Sequence, residues 1–215
     1  MQYNDIYTFQ PAGNIEEDMK RFLLKYEKEF TYKHSMRVAN EARKLARKFH
    51  VNEEEAAIAG YLHDISAIFP NEQRIAAAEA FGIDILQEER EFPMIIHQKL
   101  SKGIAKEIFK VTNEQILDAI GCHTTLRKHA TTMDLVLFVA DKIEWDQKGV
   151  PPYIERVKNG LETSLEQAAF AYISYLWERK ETLKVLHPWL EEAYWDLTEG
   201  LNEKGHRYGY KRIYE

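Results

Sequence analysis

The chain has 215 residues, 45% of them hydrophobic and 12% aromatic, enough to enclose one sizeable apolar core. Its 29 Lys and Arg against 35 Asp and Glu give a formal net charge of −6, so no general basic field exists to hold a long nucleic acid, although a locally positive site can still meet a small anion. The single cysteine, Cys122, excludes an internal disulfide and a thiolate zinc cluster, and with no basic-then-apolar leader in MQYNDIYTFQPAG and no run of 18 apolar residues the expected location is the cytoplasm, without a membrane span.

From Tyr32, the segment YKHSMRVANEARKLARKF sets Val38, Ala42, Leu45 and Phe49 at steps of three and four, which predicts one amphipathic helix. His34 stands four residues before Val38, on the same inward face. Residues 52–65 predict a second helix, with Asn52 as N-cap and Glu53, Glu54 and Glu55 suiting the positive end of its dipole. The rest of it is apolar on most sides, as a buried central helix requires. Pro70 and Asn71 interrupt, and 72–80 read as a short helix before Gly82. After Pro93, MIIHQKLSKGIAKEIF is helical in at least its second half. Asn113 or Thr112 caps NEQILDAIGCH, where Ile116, Ala119, Ile120 and His123 share a face. MDLVLFVADKIEW has a strand-like composition over 135–140, but its length and helical context favour a buried helix. Gly149, Pro151 and Pro152 mark a break, and 153–186 with 187–200 supply two or three further helices. With no repeat, low-complexity tract or long linker, the expectation is an all-α, multi-helix single domain over 1–215, with its core in about 30–190.

Four of the eight histidines, His34, His63, His97 and His123, lie on apolar faces or in apolar runs. One such histidine is ordinarily a hydrogen-bonded core residue. Four of them, joined by Asp64 and Asp141 in apolar segments, call for a positive partner, because burying an unpaired carboxylate is costly. Imidazole and carboxylate without thiolate suit iron, manganese, zinc, cobalt or nickel, and argue against magnesium alone. Six candidate ligands exceed one tetrahedral centre, so two ions are expected, with Asp64 as the bridge. The side chain of His63 should diverge from it by roughly 100° along the helix. His50, His129, His187 and His206 fall in loop-like or helix-end contexts and are expected to bind nothing. Lys142 reads as an exposed helix lysine, RKLARK and YKRIYE as solvated surface, Cys122 as an inert buried thiol, and the Tyr and Trp rings as core.

His34 on one helix, His63–Asp64 on the next and Asp141 late in a further helix resemble the signature of the HD-domain phosphohydrolase superfamily, which is all-helical and metal-dependent. Within it, the chain is most similar to the bacterial symmetrical diadenosine-tetraphosphate hydrolase group, through YKHSMRVANEARKLA, AAIAGYLHDI, IIHQKLSKGIA, DAIGCHTTLR and FVADKIE. The resemblance implies that His34, His63, Asp64 and Asp141 hold one ion, that Asp64, His97 and His123 hold the other, and that the metal is iron. It implies symmetrical hydrolysis of diadenosine tetraphosphate to two ADP. Water activated between two cations would be the nucleophile, with Arg127, Thr124 and Thr125 on the phosphates.

Three positions depart from the group. Ala67 stands where it has a lysine, Leu126 where it has a glycine after the two threonines, and Trp145, Asp146 and Gln147 where Pro-Gly-Arg follows the glutamate matched by Glu144. The lost cations open two alternatives: hydrolysis of other nucleotides or small phosphate esters, or a non-catalytic nucleotide-binding regulator. The oligomeric state, a homodimer included, and the general acid for the leaving group stay open.

Overall fold

The structure, a computed structural model, describes residues 3–208, with side chains described over 5–203. The YKRIYE segment and the His206 side chain lie outside the described residues. Eleven α-helices and three short 3-10 helices make up the described chain, with no strand among them. They run α1 (Ile15–Lys25), α2 (Glu29–Lys48), α3 (Glu53–Leu62), α4 (Asn71–Ala80), α5 (Gln87–Glu91), α6 (His97–Glu107), α7 (Glu114–Cys122), α8 (Thr132–Ile143), α9 (Ile154–Leu161), α10 (Leu165–Trp177) and α11 (Pro188–Tyr208). Among the described residues, no helix is long and apolar enough to cross a membrane.

Local chemistry starts the helices where the expected caps stand. The Asn52 side chain accepts from the Glu54 and Glu55 amides at 3.0 and 3.1 Å, and Asn113 accepts from Gln115 at 2.9 Å. Thr131 and Asp134 form a reciprocal capping box that opens α8. α8 is helix and not strand: it runs 12 residues from that capping box, and its apolar run is buried from Met133 to Ala140. α1 precedes the helices that the sequence pattern marks. Asn14 caps it, Met19, Phe22 and Leu23 are fully buried, and the buried Asp18 carboxylate accepts from the Ala12 and Gly13 amides and from Arg21. At about 25 cal/mol per Å², each of those apolar side chains contributes roughly 1.5–3 kcal/mol.

The second predicted helix ends early. α3 stops at Leu62; His63 is its C-cap, and Asp64 leaves helical geometry at φ −109°, ψ 17° before a 3-10 turn over Ile65–Ile68. His63 and Asp64 are therefore separated by a change of backbone path and not by a helical step.

The cage around the site is formed by α2, α3, α6, α7 and α8. α2 and α3 pack closely where they cross, and Gly60 permits it: a Cβ there would stand 2.5 Å from the Ala39 Cα and 2.8 Å from its amide nitrogen. That approach brings His34 on α2 within reach of His63 at the end of α3.

Candidate metal centre

Five helices deliver six side chains to one point. His34 comes from the second turn of α2, and His63 and Asp64 from the end of α3. His97 is the first residue of α6, His123 the C-cap of α7, and Asp141 lies near the end of α8. The His34 Nε2 lies 3.2 Å from Asp141 Oδ1 and 3.2 Å from the His63 Nε2. The His97 and His123 Nε2 atoms are 3.0 Å apart. Asp64 stands between the two pairs and divides its oxygens. Its Oδ2 is 3.6 Å from His63 and 4.0 Å from His34, and its Oδ1 is 3.2 Å from His97 and 3.5 Å from His123.

The tautomers show what this arrangement is for. His63, His97 and His123 each place Nδ1 on a carbonyl three residues earlier, Gly60, Met94 and Ile120, at 2.8, 2.6 and 2.8 Å. A carbonyl only accepts, so each Nδ1 carries the proton and, in the neutral ring, each Nε2 presents a bare lone pair inward. Lone pairs 3.0 Å apart repel unless a cation lies between them. Two nitrogens each about 2.1 Å from one ion, at right angles to each other, stand roughly 3.0 Å apart, so the donor set fits a metal. Two overlapping His/Asp groups in the cage could hold one: His34, His63 and Asp141, and His63, Asp64 and His123.

Charge in the cage has the same polarity. Burial opposes charge on His63, but Asp64 and Asp141 outweigh it and raise the imidazole to about 9. Burial, together with the neighbouring His97 and His63, lowers His123 to about 4. Burial also opposes ionisation of Asp64 and Asp141, yet the charge on His63 holds Asp64 well below the usual carboxylate range, and Lys142, His34 and His63 do the same for Asp141. The centre as a whole favours positive charge at its middle.

All of the cluster except His63 lines a cavity of about 410 Å³. Several sequence expectations change here. Lys142 is buried, not exposed: its ammonium donates to Asp141 Oδ2 at 2.6 Å and to the His123 carbonyl at 3.1 Å, above the Phe138 and Tyr172 rings. Trp145, Tyr153 and Tyr172 line the cavity wall instead of serving only as core. Thr124 lines it too, its hydroxyl 3.2 Å from the His97 Nε2. Thr125 does not: its hydroxyl donates to the Leu126 carbonyl and accepts from the Gln98 side chain, behind the wall. Arg127, expected on phosphate, turns away to Asp134 at 2.9 Å and Asp118 at 3.1 Å, outside the cavity. Leu126 keeps a left-handed backbone, φ 60°, at the position where the resembling group has glycine, and its fully buried side chain offsets that strain. His187 is buried against Glu89 at 3.3 Å. Arg74, which the sequence did not single out, also lines the cavity.

Residues 31–146 match the family model described as "HD domain", more than half of the chain, and the chain belongs to that family. It is 49% identical over 152 residues to a protein of Lactococcus lactis subsp. cremoris described as an uncharacterised protein in the pepC 5' region, covering 71% of this chain and 77% of that one. It is 32% identical over 142 residues to the symmetrical bis(5'-nucleosyl)-tetraphosphatase of Bacillus subtilis, covering 65% and 74%. A Clostridium acetobutylicum structure, titled a predicted HD superfamily hydrolase involved in NAD metabolism, superposes with a TM-score of 0.78 at 24% identity over 86% of this chain and 97% of that one, a likeness of fold.

Proposed function

We propose that this chain is a phosphohydrolase that holds two divalent or mixed-valence ions, iron by the resemblance of its ligand set, and hydrolyses a nucleotide phosphate. Its foremost substrate is diadenosine tetraphosphate, the class named for the Bacillus subtilis relative. The observation that carries this reading is Asp64, whose two oxygens face separate histidine pairs, so one carboxylate can serve both ion positions. His34, His63, Asp141 and Asp64 Oδ2 would form one position, and Asp64 Oδ1, His97 and His123 the other. Ions bound there would make water acidic enough to attack at neutral pH and would polarise a phosphoryl oxygen.

The chain's own groups do the rest. Three backbone carbonyls lock the imidazoles in the coordinating tautomer, and Lys142 fixes Asp141 while offsetting its charge. The Thr124 hydroxyl sits where it can donate to a phosphate, and the Trp145–Tyr153–Tyr172 wall offers an apolar side to a nucleoside. In symmetrical hydrolysis the water oxygen bonds to a central phosphorus and the bridging P–O bond breaks. The departing ADP keeps the electron pair and takes up a proton, so one water yields two ADP.

A less charged nucleotide is the second reading, favoured by Ala67 and Asp146 at the cavity and by the withdrawal of Arg127. Purification without chelator, elemental analysis for iron, manganese and zinc, and a panel of mono-, di- and dinucleoside polyphosphates separate the readings. Two ions per chain with ADP as sole product from diadenosine tetraphosphate supports the first. Metal-free protein that cleaves nothing sinks both.

A further inference from the structure

Among the described residues, two cationic side chains, Lys142 and Arg74, line the cavity, and they are used differently. Lys142 is spent on Asp141, 2.6 Å away. Arg74, in the first turns of α4, has no carboxylate within ion-pairing distance among the described residues; its Nε donates to the Phe69 carbonyl at 3.2 Å and its Nη1 to the Met94 carbonyl at 3.0 Å. Two neutral acceptors fix the guanidinium plane without cancelling its charge. A guanidinium has five N–H donors, and these two bonds leave three for a ligand. Burial works against the Arg74 charge, and the nearby Asp64 favours it.

The anchoring also ties Arg74 to the centre. The Met94 carbonyl that accepts from Arg74 accepts from His97 Nδ1 as well, at 2.6 Å. One backbone oxygen thus sets the guanidinium and a candidate ligand in common register. Asn71, three residues earlier and on the same face of α4, lines the same wall.

We infer that Arg74 is the phosphate clamp of this site, donating through its free N–H groups to non-bridging oxygens of the nucleotide phosphate next to the ion positions. The position suits a fork-shaped donor: planar, pre-oriented, partly shielded from water and unneutralised until an anion arrives. Arg127 cannot take that part while Asp118 and Asp134 hold it. The inference rests on the phosphohydrolase reading for the identity of the ligand, but the anion site itself rests on the arginine's geometry.

The test uses the protein with its metals as isolated, in wild-type, Arg74→Ala and Arg74→Lys forms. Calorimetric titration with ADP and with inorganic phosphate is combined with kinetics on diadenosine tetraphosphate and elemental analysis. In Arg74→Ala, ADP affinity should fall and KM rise about 10- to 100-fold, with metal content and melting temperature unchanged. Arg74→Lys, which keeps the charge without the fork, should recover only part. Unchanged affinity and KM overturn the inference. So does metal lost in step with affinity, since Arg74 would then act only by supporting Met94 and His97. If the wild type cleaves none of the nucleotides but its phosphate binding still depends on Arg74, the hydrolase reading fails and the clamp stands.

Discussion

The same three helices carry two polar clusters of opposite character. At one level α6, α7 and α8 contribute His97, His123 and Asp141; at another, Lys102, Asp118 and Asp134. In the second cluster Lys102 meets Asp118 at 2.6 Å, and Arg127 joins Asp118 and Asp134 at 3.1 and 2.9 Å. Two cations answer two carboxylates, and of the four carboxylate oxygens Asp134 Oδ1 is left without a hydrogen bond. Burial alone would raise Asp118, but Lys102 and Arg127 lower it, as a closed ion-pair network does. In the first cluster Lys142 answers Asp141 and a proton on His63 is favoured, but the His97 and His123 Nε2 atoms face each other 3.0 Å apart, and Asp64 has no Lys or Arg partner among the described residues. A group whose charges balance within the chain stabilises the fold. A group that cannot do so is one that could hold an outside cation.

The sharpest way to break the comparison is to remove the shared carboxylate. Asp64→Ala should release metal from both positions and reduce hydrolysis to background, a loss of more than about 1000-fold, because neither ion keeps its bridging oxygen. Elemental analysis alongside turnover decides it. A variant that retains both ions and full activity would show that the histidine pairs act independently and that Asp64 bridges nothing.

The second effect tests how the fold makes the cluster. Gly60→Ala puts a methyl against the backbone of Ala39, which cannot move without pushing α2 from α3. Overpacking of this kind costs about 1–3 kcal/mol, or roughly 2–4 °C of melting temperature per kcal/mol in a chain of this size. Metal affinity should fall with it, because His34 and His63 ride on the two helices being separated. Unchanged stability and metal binding would show that the crossing is more compliant than its contacts imply.

The two clusters also differed in how visible they were beforehand. Each of the six centre residues interrupts an apolar pattern, and an interruption that is expensive to bury is readable without coordinates. Arg127, Lys142 and Arg74 do not interrupt anything. A cation on an amphipathic stretch looks the same whether it meets water, Asp134, Asp141 or an open cavity, and only packing distinguishes these. The partners of Arg127 lie nine residues before and seven after it across a loop. The end of α3 was hidden for a related reason. Its apolar run continues past His63, with no Gly or Pro before Pro70 to announce a stop. The caps at Asn52 and Asn113 were legible because their hydrogen bonds are local; α1 has an equally local cap at Asn14, but its apolar face is short.

The smallest expected effect falls on the closed cluster and sharpens the contrast. Arg127→Ala leaves the fully buried Asp134 with only the Thr131 amide on Oδ2, and leaves Asp118 with Lys102 alone. Removing one partner of a buried pair can cost 3–5 kcal/mol, but the Arg127 side chain is 31% exposed, so solvent screening reduces this to about 1–2 kcal/mol. Melting temperature should fall by a few degrees, while KM for the nucleotide and metal content stay at wild-type values. Arg127→Lys should restore part of the stability, since charge survives and the fork does not. The opposite pattern, a raised KM at unchanged stability, would mean that the arginine leaves its carboxylates when substrate arrives, and the division between a self-satisfied and a cation-seeking cluster would no longer describe this protein.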